Sequence, residues 1–449
     1  MGERDKAAQV VTDDRNHVFH SWSAQAHVNA LPVAGGSGSY FWDYDGNHYL
    51  DFSSQLVNLN IGHGHPKVVA AIQEQAGRLA TIAPAMGSDV RGEAARLISE
   101  RAPGGLDRVF FTNGGADANE HAIRMARLQT GRPTILSAYR SYHGATGGAI
   151  ALTGDPRRWE NTPTGQSVAH FFGPYAYRSA FHSDSVEQEC ERALAHLRDV
   201  VQLQGSSTIA AIIQEPVVGT NGILVAPPGY LAGVRELCDE YGILLIADEV
   251  MAGFGRCGEW FAIDHWDVVP DLITFAKGVN SGYVPLGGVI LGPATYERFA
   301  ERPYPGGMTY SGHPLACAAA VASIKAFEEE GILEHVRKLG ETVVEPRLAA
   351  LQAKHPSVGD VRGLGMFWAI ELVKDKETRE PLVPFNAAGA DAAPMNSFAA
   401  ECKKHGLWPF VNMNRTHVVP PCTISEDELR TGLDIIDAAL DVADEQARA

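Results

Sequence analysis

The chain has 449 residues, 45% of them hydrophobic and 20% charged, a composition that predicts a globular protein of about two domains. Its net charge of -17, with acidic and basic side chains interspersed, argues against a nucleic-acid partner. The six cysteines form no CxxC pair, and the sequence has neither a signal peptide nor a membrane-spanning apolar run. We therefore expect a cytoplasmic protein without a disulfide framework, a zinc site or a membrane contact.

The N-terminal region is predicted to contain a hairpin and a helix. The first dozen residues are expected to be a loose tail. Large and polar side chains alternate over residues 40–52 around Asp45-Gly46, a pattern that predicts a β-hairpin. An amphipathic helix is predicted over residues 66–79.

From about residue 90 to residue 300, short apolar runs alternate with helical stretches. This alternation predicts a mostly parallel sheet that is buried on both faces. The predicted strands are 108–111, 134–136, 209–213, 244–247, 272–276 and 287–291. Polar residues follow several of these strands, and ligands of such sheets bind beyond the carboxyl ends of the strands. We expect the functional site at that edge.

The C-terminal region mixes helices and strands, with helices predicted over 315–330, 333–351, 396–405 and from residue 426, and a strand over 365–372. We expect a smaller α+β domain here. The predicted organisation is an N-terminal segment (1–60) that joins the small domain, a large domain that binds the cofactor (61–314), and a C-terminal small domain (315–449).

Asp248 comes at the end of a predicted buried strand. A carboxylate in that position is costly unless a positive group faces it. A protonated pyridine nitrogen would supply that charge and remain an electron sink. A metal-ligand role and a helix-capping role are alternatives.

Lys277 follows the apolar strand 272–276, 29 residues after Asp248. Burial lowers the pKa of a lysine, and a neutral amine is what Schiff-base chemistry requires. A lysine that is merely ion-paired to Asp248 is the alternative.

Residues 110–127 are predicted to form a strand, a glycine turn and then a helix. Backbone N–H groups of Gly114, Gly115 and Ala116 would lie at the helix N-terminus, which is a common anion site. The alternative is an ordinary helix start capped by Asn113 or Asp117.

These features occur in a specific order: DEV and GFGR from residue 248, FAKG from residue 275, and TYSGHPLA from residue 309. The chain therefore resembles the class III aminotransferases of the aspartate-aminotransferase fold (fold type I of the pyridoxal-phosphate enzymes), and most closely their ω-transaminase branch. The resemblance extends from FHSWSAQ near residue 20 to VVPPCTISEDEL near the C-terminus. It implies an α/β fold with a large, mostly parallel sheet domain and a smaller α+β domain.

The resemblance implies pyridoxal 5'-phosphate as the cofactor and assigns three catalytic residues. Lys277 would hold the cofactor as a Schiff base and move the proton, Asp248 would pair with the pyridine nitrogen, and Tyr142 would stack on the ring. Val250 would press on the opposite face.

Other implied contacts concern the phosphate and the substrate. Gly115 and Ala116 would hold the phosphate, and Thr309 would reach it from a partner subunit, which implies a homodimer, or a tetramer, with shared active sites. Trp22 would line the substrate entrance, although a core tryptophan is the alternative.

The acceptor and the substrate arginine are less directly indicated. Thr220 stands where many relatives that use 2-oxoglutarate have a glutamate, and this favours pyruvate. Arg415 is the only arginine in the segment that would bind a substrate carboxylate, with a surface arginine as the alternative.

The predicted reaction is a ping-pong transamination from an ω-amino acid or primary amine, of the β-alanine, 4-aminobutyrate, longer ω-amino acid or taurine type, to a keto acid, with pyruvate preferred, which gives an aldehyde and alanine. An aminomutase or decarboxylase of the same fold, a 2-oxoglutarate-using aminotransferase and a catalytically silent sensor are the alternatives. The donor, its stereochemistry and the choice between dimer and tetramer do not follow from the sequence.

Overall fold

The computed structural model describes residues 3–161 and 165–447. Its helices in chain order are α1 (Glu3–His17), α2 (Ser54–Val57), α3 (Pro66–Arg78), α4 (Asp89–Ser99), α5 (Gly115–Thr130), α6 (Gly147–Leu152), α7 (Val186–Gln204), α8 (Tyr230–Tyr241), α9 (Pro293–Phe299), α10 (Pro314–Glu329), α11 (Ile332–Leu339), α12 (Glu345–Lys354), α13 (Ala393–Lys404) and α14 (Glu426–Ala447). None of the helices in these two ranges has the length and apolar character needed to cross a bilayer.

The strands form one large sheet and three smaller ones. In chain order they are β1 (Val33–Ser37), β2 (Tyr40–Asp43), β3 (His48–Asp51), β4 (Arg108–Thr112), β5 (Thr134–Ala138), β6 (Val168–Phe171), β7 (Ile209–Gln214), β8 (Val217–Val218), β9 (Leu224–Val225), β10 (Leu244–Asp248), β11 (Leu272–Phe275), β12 (Gly287–Leu291), β13 (Val358–Leu364), β14 (Phe367–Leu372), β15 (Leu407–Trp408), β16 (Phe410–Asn412) and β17 (Arg415–Val418).

The large sheet has the strand order β4-β12-β11-β10-β7-β5-β6. Only β12 runs antiparallel to its neighbours, and the other adjacent pairs are parallel. The predicted mostly parallel sheet of an α/β fold is confirmed. β6 completes the sheet, and the sequence analysis missed it because the mixed residues VAHF have no continuous apolar run.

Successive residues of the central strands pack on opposite faces of this sheet. Leu245 contributes to the core formed with α4, α7, α8 and α10, whereas Ile246 contributes to the core on the α5 side. Ile273 packs in the first of these cores and Leu272 in the second. Since both faces are covered, these strands are apolar throughout rather than alternating.

The N-terminal hairpin packs on the C-terminal part of the chain. Strands β1, β2 and β3 form a sheet with β15, and the last pairing, of β3 with β15, is parallel. A second sheet, β13-β14-β17-β16, lies in the same part, with helices α13 and α14 in contact with each other. The division at residues 60 and 314 stays a prediction.

The expectation of a loose N-terminal tail is wrong, because residues 3–17 form helix α1. Its side chains form local contacts that favour a helix, such as the hydrogen bond from Gln9 Nε2 to Asp13 Oδ1 at 2.8 Å. Lys6 Nζ also lies 5.6 Å from the centre of the Tyr44 ring. This segment is polar and has no apolar face, so its sequence lacks the periodicity that would predict a helix.

Arg256 joins three parts of the chain from a fully buried position. Its guanidinium donates to the carbonyl oxygens of Met366, at 3.1 Å, and Pro420. It also donates to Ser54 Oγ at 3.2 Å and to Asn60 Oδ1 at 2.8 Å. These bonds fix the loop after β10 against the N-terminal segment and the C-terminal sheet.

Candidate active site

Five strands of the large sheet end at the same edge, and chemically active side chains follow each of them. Because β4, β5, β7, β10 and β11 run in one direction, their carboxyl ends bring together Asn113, Tyr142, Glu215, Asp248 and Lys277. All five side chains line one cavity of about 430 Å³. This is the position that the sheet topology favours for a ligand.

Most of the predicted site residues line this cavity. Those that do are Trp22, Gly115, Ala116, Tyr142, Asp248, Val250 and Lys277. Thr309 and Arg415 do not line it in the part of the chain that the structure describes.

Asp248 is buried, and three donors from its own chain hold its carboxylate. Asn119 Nδ2 and His143 Nδ1 donate to Oδ2 at 2.8 and 2.7 Å, and the backbone N–H of Val250 donates to Oδ1 at 3.0 Å. Burial favours the neutral form of His143, but the hydrogen bond and the charge of Asp248 prevail and raise its pKa. These three donors fix the direction of the carboxylate.

Two buried atoms near Asp248 have no hydrogen-bond partner among the described residues: Asn119 Oδ1 and His143 Nε2. Buried polar atoms without partners are uncommon in native structures. Neither Asn119 nor His143 is among the residues that the sequence predicts for the site. The NGGADANE motif contains the missing signal, because Asn119 lies one helical turn after the glycine pair.

Lys277 begins a short turn directly after β11, with a φ of 43°. Non-glycine residues seldom adopt this conformation, and such strain is concentrated at functional sites. Burial lowers the pKa of Lys277, and the carboxylates of Asp248 and Glu215 act against that shift. The amine is thus held closer to its neutral, nucleophilic form.

The N-terminus of α5 lies at the other end of the cavity. Gly114, Gly115 and Ala116 all line the cavity, and α5 starts at Gly115. A Cβ on Gly115 would lie 2.6 Å from Cγ1 of Val250, so only glycine allows the helix to approach Val250 this closely. Free backbone N–H groups at a helix N-terminus are suited to a phosphate.

Tyr142 is held between a carboxylate and a guanidinium. Its backbone N–H donates to Glu215 Oε1 at 3.0 Å, and the Arg157 guanidinium lies 3.7 Å from the centre of its ring. Glu215 Oε2 accepts from the N–H of Gly219 at 2.8 Å. Burial, with the charge of Asp248, raises the pKa of Glu215 to about 7. These hydrogen bonds give Glu215 a structural role beside Tyr142.

A second cavity, of about 410 Å³, continues from the first. The two share Trp22, Tyr142, Thr220, Met251 and Lys277. The second cavity also contains Arg157, which the sequence analysis did not single out. Its segment, GDPRRWE, has no recognisable motif, and only the fold brings it to Tyr142.

Arg415 and Thr309 lie away from both cavities. Arg415 is buried, and its Nη1 donates to the carbonyl oxygen of Asn221 at 2.9 Å. Thr309 is exposed, in a surface turn where Ser311 Oγ donates to the carbonyl oxygen of Phe111 at 2.9 Å.

The spacing of His63 and His65 is similar to that of two histidine ligands of one metal ion. Each of these histidines instead contacts a different carboxylate. His63 Nε2 lies 3.1 Å from Asp51 Oδ2, and His65 Nε2 lies 3.2 Å from Glu330 Oε2. Both contacts tie the loop before α3 to neighbouring elements.

The residues present fit pyridoxal phosphate. A fixed carboxylate (Asp248), an amine with a lowered pKa (Lys277) and a helix N-terminus line one cavity. Gly115 provides the close approach that a flat, phosphorylated ring needs beside Val250. Among the described residues, Nε2 of His143 has no hydrogen-bond partner, so a polar group beside Asp248 is left for a ligand to satisfy.

Comparison with known proteins agrees with this chemistry. The family model "Aminotransferase class-III" matches residues 22–440. A taurine–pyruvate aminotransferase of Bilophila wadsworthia is 33% identical in an alignment of 451 positions, which covers 95% of this chain and 96% of that protein.

Two solved structures are similar along nearly their whole length. Taurine:2-oxoglutarate aminotransferase from Bifidobacterium kashiwanohense, in complex with PLP and glutamate, is 41% identical with a TM-score of 0.94, and the match covers 98% of each chain. An (S)-enantioselective omega-transaminase from Thermomicrobium roseum is 36% identical with a TM-score of 0.91, covering 97% of this chain and 99% of that one.

Proposed function

This chain belongs to the class III aminotransferases, which use pyridoxal phosphate, and from that premise we propose that it transfers the amino group of an ω-amino acid or ω-aminosulfonate to pyruvate. The observation that carries the proposal is the continuity of the two cavities at Lys277. The reacting amine fits at Lys277, and the rest of the donor extends into the second cavity. The taurine–pyruvate and omega-transaminase names of the relatives support the same donor class.

The proposed catalytic residues are those that line the first cavity, which we call the inner cavity. When bound, pyridoxal phosphate supplies an aldehyde that condenses with amines and a protonated ring that withdraws electrons. Lys277 Nζ would move a proton from the donor carbon to the cofactor. Asp248 would pair with the ring nitrogen, and Tyr142 and Val250 would contact the ring.

The proposed phosphate site combines two subunits. Backbone N–H groups of Gly115 and Ala116 bind the phosphate at the α5 N-terminus. Thr309 is exposed in its own chain, so its hydroxyl is free to reach the phosphate of a second copy. We propose a homodimer with shared active sites on this basis.

Pyruvate is the proposed acceptor because it carries one carboxylate, whereas 2-oxoglutarate carries two. Arg157 is the only arginine that lines either cavity within the described residues, and Thr220 provides no carboxylate there. The 41%-identical structure is named for 2-oxoglutarate, so that keto acid is the necessary competitor in the test.

The test follows the visible absorption of the purified holoenzyme. Addition of β-alanine, 4-aminobutyrate or taurine is expected to remove the cofactor's visible band, and pyruvate is expected to restore it while alanine forms. Restoration by 2-oxoglutarate alone would contradict the proposed acceptor. A band that no donor removes would contradict the donor class, and product formation without any keto acid would indicate an aminomutase or decarboxylase. The Lys277→Ala variant, which keeps the phosphate contacts, should lose turnover.

A further inference from the structure

The second cavity, called the outer cavity from here on, is lined by a single arginine among the described residues, Arg157. Around the entrance shared with the inner cavity, it is lined by Asp155, Pro156, Arg157, Phe410, Asn412 and Met413, together with Leu56 and Asn386. Among the lining residues only Arg157 and Lys277 are cationic, and only Asp155 is anionic. The far end of a donor whose amine lies at Lys277 therefore meets one positive group.

Arg157 is held in place by a buried carboxylate. Its Nε lies 2.9 Å from Asp155 Oδ2, its Nη2 also contacts Oδ2, and its backbone N–H donates to Oδ1 at 2.9 Å. Asp155 is only 4% exposed, and Asn221 Nδ2 donates to its Oδ2 at 3.0 Å. This arrangement fixes one edge of the guanidinium and leaves the other edge available.

One further contact, and one nitrogen without a partner among the described residues, show which part of Arg157 faces the cavity. The Tyr142 ring covers one face of the guanidinium, with 3.7 Å between the ring centre and Cζ. Nη1 has no hydrogen-bond partner within residues 3–161 and 165–447, and the side chain is 28% exposed. An arginine fixed in this way retains a planar donor edge that can bind a carboxylate or sulfonate with little further loss of side-chain entropy.

Arg157 and Lys277 both line the outer cavity, so a donor whose amine lies at Lys277 can extend toward the guanidinium. Burial lowers the pKa of Lys277, and the charge of Arg157 adds to that shift. Arg415 cannot perform this task in the described conformation, because it is buried against Asn221 and lines neither cavity.

We propose that Arg157 is the receptor for the anionic end of the amino donor, and that it selects ω-amino carboxylates and sulfonates over uncharged amines of the same length. This inference rests on the proposed function for the identity of the reacting amine. It replaces Arg415 by Arg157 as the substrate arginine, and it assigns Asp155 as the residue that positions it.

The first test compares donors that differ only in charge. With the Arg157→Gln variant, kcat/KM for 4-aminobutyrate and β-alanine should fall about 10- to 100-fold, the usual range for a lost hydrogen bond to a charged group. The uncharged 4-aminobutanamide and β-alaninamide should change less than about threefold, because they make no ionic contact with the guanidinium. Arg158→Gln, which removes the same charge one residue further on and lines neither cavity, is the matched control.

An equal loss for charged and uncharged donors would overturn the proposal, since Arg157 would then act only by supporting the Tyr142 ring. Arg157→Lys is the second variant if the glutamine variant does not fold. It retains the charge without the planar edge and should keep part of the preference for anionic donors. A preference that is unchanged in Arg157→Lys and in Arg157→Gln would also overturn the proposal.

The second test does not depend on turnover. Binding of propanoate and ethanesulfonate, which have no amino group, to the holoenzyme is measured by titration calorimetry. The Arg157→Gln variant should bind both at least tenfold more weakly, whereas Arg158→Gln should match the wild type. If no donor reacts with the wild-type enzyme, the proposed function fails but this binding comparison still decides the role of Arg157. Equal binding by all three proteins would contradict it.

Discussion

At the scale of single residues, two adjacent carboxylates after β10 have different tasks. Asp248 lines the inner cavity, whereas Glu249 is fully buried and accepts from the backbone N–H groups of Ala262 and Ile263 at 3.0 and 2.8 Å. Burial raises the pKa of Glu249 to about 8, with the charges of Asp264 and Asp248 adding to the shift. A proton is therefore held on Glu249 in the folded protein at neutral pH.

This shift predicts a specific dependence of stability on pH. The folded-state pKa lies above the usual glutamate value near 4.5, so the stabilising effect of the bound proton is complete below about pH 4.5 and is lost as the pH rises through about 8. Between these two pH values the free energy of unfolding falls by about 1.4 kcal/mol for each pH unit. In Glu249→Gln the side chain is neutral at every pH, and we expect the variant to be more stable than the wild type at pH 9 and similar at pH 4.5.

The measurement is the melting temperature of both holoenzymes between pH 4.5 and pH 9. Glu215 and Asp264 also have raised pKa values, of about 7 and about 6. Several residues therefore contribute to the pH dependence of the wild-type melting temperature. The difference between wild type and Glu249→Gln isolates one residue. Glu301→Gln, at an exposed position, is the control and should give no pH-dependent difference. A constant difference across the range would contradict the assignment.

At the scale of secondary-structure elements, the approach of α5 to the end of β10 decides whether a phosphate can be held. Gly115→Ala would place a Cβ 2.6 Å from Val250 Cγ1, and one of the two elements would have to move. Overpacking of this kind costs about 1–3 kcal/mol, so we expect the affinity for pyridoxal phosphate to fall about 5- to 150-fold. The dissociation constant measured by equilibrium dialysis of the apoenzyme tests this.

Gly147→Ala, at the start of α6, is the matched control for this prediction. A Cβ on Gly147 has no atom within 4 Å, and Gly147 lines neither cavity. Its affinity for the cofactor should remain near that of the wild type. The double variant Gly115→Ala/Val250→Ala removes the atoms that clash and should bind more tightly than Gly115→Ala alone. Equal losses at Gly147 and Gly115 would show that the contact with Val250 is not the cause.

Elements with a strong periodic signal could be predicted, and the rest could not for physical reasons. The strand at 209–213 and the helix at 315–330 lie within one residue of β7 and α10, because continuous burial gives each an apolar sequence. The helix predicted over 333–351 is divided instead into α11 and α12 by a π-helical stretch at Gly340–Val344. A backbone O of Gly365 would lie 2.7 Å from a Cβ on Gly340, so this close approach depends on tertiary packing.

The site was predictable where motif and topology coincide. Asp248, Lys277 and Tyr142 each follow a strand of the large sheet, and the sheet alone brings them together. Arg157 was not predictable, because it lies in a surface turn and reaches the cavity only through its contact with Asp155. Arg415, which fits the sequence segment, is buried in this conformation and donates to the carbonyl oxygen of Asn221.

At the scale of the whole molecule, a buried ionic cluster ties the large sheet to the C-terminal sheet. Glu371 in β14 contacts Tyr175 and Arg178 from the segment after β6, and it lies 2.9 Å from Nη2 of Arg362 in β13. Burial acts to raise the pKa of Glu371, but Arg362, Tyr175 and Arg178 together hold it at about 2. The cluster stays ionised at neutral pH and fixes the part of the chain that carries β16 and Phe410 against the outer cavity.

The proposed sharing of active sites between two copies gives the last prediction. Lys277→Ala removes the reacting amine of its own site, and Thr309→Asp introduces a charge that repels phosphate. Each variant alone should be inactive. If Thr309 acts across the interface, a heterodimer of the two has one site with both the wild-type Lys277 and the partner's wild-type Thr309. Purified heterodimers should therefore have about half of wild-type activity, because one of their two sites is intact.

The alternative assignment gives a different number. If Thr309 serves the site of its own subunit, both sites of the mixed dimer contain one defect, and co-expression should restore nothing. Full activity of Thr309→Asp alone would remove Thr309 from the site altogether. The measurement is the specific activity of heterodimers purified through two different affinity tags, with Lys277→Ala and wild type co-expressed as the reference. That reference pair should keep about half of wild-type activity, because removing the amine from one subunit leaves the other site complete. Recovery in the test pair, set against that reference, measures how completely the two subunits build each site together.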